Sequence, residues 1–157
     1  MLGVVVLLPA GSQASSPGAS AAQQQPEYEL PPPPPPPEYL TPFPVVRLAG
    51  QIRDGGARIT LFRITSPTGS RVTVICFGGR RKRCPWRRQS RLSPESRQVQ
   101  FRGLARRTLK AGARLEVTVQ RGNTIGKFTS FTVRKGKAPR RRDACLIPGF
   151  STPQPCP

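Results

Sequence analysis

Arg114-Leu-Glu-Val-Thr-Val-Gln120 alternates without a fault, with Leu115, Val117 and Val119 on one side and Glu116, Thr118 and Gln120 on the other. Successive side chains of a β-strand point to opposite faces, so this stretch is a strand with one dry face and one wet face. The same period recurs around it. Val99 and Phe101 alternate with Gln98, Gln100 and Arg102, and Phe131 and Val133 alternate with Thr132 and Arg134. Upstream, Val45–Ile52, Arg58–Thr65 and Arg71–Phe77 are rich in β-formers. In the last two, apolar residues occupy both registers (Leu61 and Phe62; Val74 and Ile75), as in a central strand or one broken by a bulge.

Turn-forming residues separate these runs: Asp54-Gly-Gly56, Pro67-Thr-Gly-Ser70, Gly78-Gly79, Ala111-Gly-Ala113 and Arg121-Gly-Asn123. Helical periodicity is lacking. Leu104–Lys110 has room for one helical turn, and a loop or irregular strand fits it equally. The fold class is therefore all-β: an immunoglobulin-like or fibronectin-like β-sandwich over residues 45–138, with a small closed barrel as the competing architecture. Its expected core is Leu48, Ile59, Leu61, Val72, Val74, Val99, Phe101, Leu115, Val117, Val119, Phe131 and Val133.

Composition narrows the chemistry. The 157 residues hold 26 lysines and arginines against 7 acids, a formal net charge of +19, and no histidine. A histidine-based acid/base site, dyad or metal centre is thereby excluded. Beyond residue 38 the acids are only Asp54, Glu95, Glu116 and Asp143. That leaves 26 basic residues against these four, or +22, and makes a working carboxylate pair improbable. Neither Gly78-Gly79 nor Gly122-Asn-Thr-Ile-Gly126 continues into a phosphate-cradling loop. The expectation is a protein without catalytic residues, cofactor or metal.

The ends of the chain read differently. Leu2–Leu8 is an apolar run of about signal-core length, too short to cross a bilayer. Ser12-Gln13-Ala14 or Ala19-Ser20-Ala21 would serve as a cleavage site, so residues 1–21 are expected to be a signal segment. The positive charge that ordinarily precedes such a core is missing, so either the true start lies upstream or the run is a plain apolar terminus. Residues 22–44 form an expected disordered linker around seven prolines, 31–37. As a polyproline II rod that run extends about 20 Å; it is a spacer or, alternatively, a ligand for a proline-recognition domain. Residues 139–157, with five prolines, are expected to be an irregular basic tail. No later stretch is apolar and long enough for a transmembrane helix.

Four cysteines, Cys76, Cys84, Cys145 and Cys156, allow three pairings. Cys76–Cys84 and Cys145–Cys156 close short local loops and are the expected pair, each adding about 2.5 kcal/mol through loop-closure entropy. A zinc site of four thiolates is the alternative, and the wide spacings argue against it. Disulfides belong to oxidising compartments, so the chain is expected to be extracellular or associated with the cell envelope.

Leu109-Lys-Ala-Gly-Ala-Arg-Leu-Glu-Val-Thr-Val119, Ile125-Gly-Lys-Phe-Thr-Ser-Phe-Thr-Val-Arg-Lys-Gly-Lys-Ala-Pro139 and Asp143-Ala-Cys-Leu-Ile-Pro-Gly149 resemble uncharacterised secreted β-sandwich proteins of high-GC bacteria. So does Arg71–Pro85, a basic loop between cysteines. The resemblance covers residues 45–157. It implies an extracellular or wall-associated module and assigns no functional residue.

Two basic clusters remain: Arg80, Arg81, Lys82 and Arg83 with Arg87 and Arg88, and then Arg140, Arg141 and Arg142. Cations this dense repel unless an anion joins them, and the guanidinium fork suits phosphate and carboxylate. They are the candidate anion-binding residues. The favoured partner is an anionic envelope polymer or glycan. Nucleic acid bound through its phosphates comes second, because only Trp86 lies among the arginines to stack on a base. A charged, solvated surface without a dedicated partner is the third reading.

Overall fold

Alternating side chains and glycine-rich turns produce nine strands in the computed structural model, which describes residues 32–157. They are β1 (Val45–Arg53), β2 (Gly56–Thr65), β3 (Arg71–Phe77), β4 (Arg88–Leu92), β5 (Gln98–Val99), β6 (Thr108–Lys110), β7 (Arg114–Gln120), β8 (Gly126–Arg134) and β9 (Lys137–Leu146). Two antiparallel sheets pack together, one ordered β1-β2-β5 with β6 also on β2, the other β4-β3-β7-β8-β9. Pro35–Pro157 cluster as one unit. The expected signal segment and residues 22–31 of the linker lie outside the described residues.

The core lies between the sheets. Val72, Val74, Leu115, Val117, Val119, Phe131 and Val133 meet Val46, Ile59, Phe62, Ile64, Val99 and Leu109 there, all buried. Two expected core residues behave differently. Leu61 is 36% exposed, whereas Phe62 is 6% exposed. Ala49 pairs with Leu61 and Gly50 with Ile59, so Thr60 is an extra residue in β2. This bulge shifts the inward register from Ile59 to Phe62 and turns Leu61 out. Gly50 sits at the same irregularity, and a Cβ there would strike the carbonyl oxygen of Arg58. Leu48 is only partly buried, packed on the edge of the core.

The folded region is longer at both ends than the 45–138 expected. Upstream, Leu40 is fully buried and Pro44 nearly so, and Ile125 is held between Glu38 and Tyr39–Leu40 by backbone hydrogen bonds. Contacts with the folded region therefore begin near residue 38 rather than at residue 45. Downstream, the tail is not irregular from residue 139. Arg134 pairs with Lys137 and Thr132 with Arg140, so Ala138 and Pro139 together oppose the single Val133. The irregularity absorbs the missing proline N–H and lets β9 continue to Leu146. From Cys145 on, the tail folds back, its backbone exchanging two hydrogen bonds with Gln154.

Both short-loop disulfides are present, Cys76–Cys84 with 5.8 Å and Cys145–Cys156 with 4.9 Å between Cα atoms, and no cysteine is free. Four thiolates are thus not available to a zinc ion. No helix among the described residues is long and apolar enough to cross a membrane.

Candidate anion-binding surface

Register decides which cations share a surface. Across the larger sheet, Arg88 opposes Ile75, Ile75 opposes Glu116, Glu116 opposes Ser130 and Ser130 opposes Arg142. Directly paired residues point to the same side of a sheet. The row Arg88-Ile75-Glu116-Ser130-Arg142 therefore runs across the outer face, opposite the core. The next row is Phe77-Arg114-Thr132-Arg140. Arg88 from the first basic cluster and Arg140 and Arg142 from the second thus flank one face. Four strand spacings, about 19 Å, separate its two edges.

Arg114 lies between them, its guanidinium 4.6 Å from the ring centre of Phe77 and 3.1 Å from Glu116. Arg88, Arg140 and Arg142 are exposed and have no ion-pair partner among the described residues. Glu116 is the sole acid in the two rows. Arg140 and Arg142 on β9 are near enough to repel each other, and only an extended anion could reach Arg88 on the far edge as well.

Arg141 is the exception in its cluster. One residue out of phase with Arg140 and Arg142, it points to the inner side at the sandwich edge. Its Nε and one terminal nitrogen donate to both oxygens of Asp143 (2.6 and 3.0 Å), and the other donates to the carbonyl of Val46 on β1 (3.0 Å). The Thr129 hydroxyl also donates to Asp143 (2.7 Å), and the Lys127 ammonium lies 3.4 Å away. The Arg141 hydrogen bonds hold the Asp143 carboxyl down at about 2, helped by Thr129 and Lys127 and opposed by partial burial. Asp143 in turn raises Arg141 above the usual arginine range. The pair ties β9 to β1 and commits three of the five N–H donors of Arg141 to contacts within the chain.

The first cluster divides as well. Between Cys76 and Cys84 the chain makes a short 3-10 turn, Arg80–Lys82, entered through Gly78 and Gly79 at positive φ. A Cβ at Gly78 would meet the side chain of Lys82, which folds back over it and is half-buried. Arg81 and Arg87 are exposed beside the turn, while Arg80 and Arg83 line a cleft together with Arg106 and Arg107. Sequence reasoning missed the last two because they sit in the ambiguous 104–110 stretch. The signal available was the Arg106-Arg107 pair itself.

Trp86 is withdrawn from the cations. Its ring packs on Phe101 with centroids 6.0 Å apart, and its indole N–H donates to the Arg102 carbonyl at 3.1 Å. That commits the tryptophan's indole N–H and part of its ring to the domain itself rather than to a base. Comparison of the chain with protein-family models, curated proteins and solved structures gives no match.

Proposed function

We propose that this chain is an exported, non-catalytic module of the cell envelope that holds an anionic polymer or glycan on the outer face of its larger sheet. One observation carries the reading: register brings Arg88, Arg140 and Arg142, from clusters more than 50 residues apart, onto a single face with one acid between them. Export is supported by two disulfides, which suit an oxidising compartment. The sandwich is read as fibronectin-like, with β9 added at the free edge. Supporting that type, β1, β2, β5 and β6 lie in one sheet and β4, β3, β7 and β8 in the other.

The test is cosedimentation of the purified chain with bacterial cell walls, run beside a salt titration of duplex DNA. The reading expects wall retention that salt reverses, weakened by Arg88→Ser, Arg140→Ser and Arg142→Ser together. Tight DNA binding with a steep salt slope and no wall retention would make the partner nucleic acid instead.

A further inference from the structure

Arg80 and Arg83 reach one wall of the cleft on the disulfide-closed turn. Arg106 and Arg107 form the other, beside Cys84 and Thr108, around a volume of about 440 Å³. Each wall is held by its own means. The turn is closed by Cys76–Cys84 and by hydrogen bonds from the Arg83 N–H to Arg80 and the Cys84 N–H to Gly79. Opposite, the Arg106 N–H donates to Ile59, the Ile59 N–H donates to Arg107, and fully buried Leu104 anchors the segment. None of the four arginines has an ion-pair or side-chain hydrogen-bond partner among the described residues. The cleft is therefore an open concavity whose backbone is held on both walls, lined by four guanidiniums and no acid.

Backbone conformation is the second observation. Only three non-glycine residues among those described have positive φ, and two of them, Arg83 (63°) and Arg106 (66°), line this cleft from opposite walls. A side chain in that region is strained, and glycine would avoid the strain. Arginine stands there on both sides.

We propose that this cleft binds a compact, multiply charged phosphate ester: a diphosphate or terminal phosphate group. A single carboxylate would neutralise one guanidinium and leave three crowded together. A diphosphate offers several oxygens to several forks at once and carries charge closer to the cleft's own. The proposal deepens the anion-binding reading but uses a site away from the flat sheet face. The group can belong to an envelope polymer or to a free phosphate ester; the recognised chemistry is the same.

Calorimetry with inorganic pyrophosphate on the full oxidised chain tests it. The expected result is saturable binding of one equivalent. Arg106→Gly with Arg107→Ser should weaken it about tenfold or more. Glycine accepts the backbone conformation at 106, so the variant should melt no lower than the parent, which separates lost binding from lost folding. Arg140→Ser with Arg142→Ser removes the same charge from the sheet face and should change pyrophosphate affinity less than about twofold, with binding local rather than spread over the net charge. Equal weakening in both variants, or none in the first, overturns the site. Release of the wall-bound chain by pyrophosphate assigns the group to the polymer; pyrophosphate binding without such release assigns it to a free ester. Wall retention without pyrophosphate binding sinks the cleft and spares the proposed function. Pyrophosphate binding without wall retention does the reverse.

Discussion

Asp143 receives hydrogen bonds from Thr129 and Arg141, and through Arg141 it reaches the β1 carbonyl of Val46. Its carboxyl is held at about 2, below its ordinary value of 3.8. A depressed carboxylate contributes stability that is complete above the unfolded value and is lost as pH falls through the folded one. The contribution is thus intact above about pH 4 and disappears between pH 4 and 2. With the side chain 39% exposed, solvent screening reduces it to about 1 kcal/mol. Asp143→Asn should lower stability at pH 7 by that amount and flatten the acid limb of a denaturant-melt series between pH 4 and 2. An unchanged acid limb would remove Asp143 from the account. At the bulge, Phe62→Ala should cost about 3–5 kcal/mol and Leu61→Ala less than about 1 kcal/mol. Reversal of that order in urea melts would mean that β2 runs without the extra residue.

Strands whose faces differ were readable from the chain. Leu115, Val117 and Val119 are buried, as their alternation requires, and their neighbours on β7 are not. Where two apolar residues adjoin, as at Leu61-Phe62, alternation alone gives no register, and the bulge decides it. Strand β4 (Arg88–Leu92) was hidden because its first four residues are polar on both faces; it gains its place by hydrogen bonding to β3, which no local pattern announces. Strand β9 was hidden by Pro139 and by arginines, residues common on solvent-exposed edges, where charge discourages pairing with another sheet. The same two strands carry Arg88, Arg140 and Arg142. The candidate residues were therefore legible by type, while their common face depended on long-range pairing. Among the loops, the Cys76–Cys84 bridge constrains the arginine turn. Replacing both cysteines by serine should lower stability by about 2–3 kcal/mol in urea melts. It should also weaken pyrophosphate binding, since the ordering of Arg80 and Arg83 would then be charged to the binding step. A double-serine variant with parental melting and parental affinity would show the turn to be held by its other contacts.

Taken whole, the described chain is a two-sheet scaffold stitched at one edge by Arg141 and Asp143 and covalently closed at two loops. Its 26 cations meet few acids: three ion pairs link them among the described residues, and two of these share Asp143. Most of the cations are therefore unpaired within the described residues. Arg88 and Arg142 lie on opposite edges of a face about 19 Å across, beyond the screening length of about 8 Å at physiological salt. A small anion cannot join them, but a polymer chain can. The decisive measurement is the salt dependence of binding to purified bacterial cell walls, for the parent chain and for Arg88→Ser/Arg140→Ser/Arg142→Ser. If the face contacts the polymer, the variant binds more weakly and the slope of log affinity against log salt falls by about one for each of the three cations removed. A variant with the parental slope and affinity would contradict the assignment of that face.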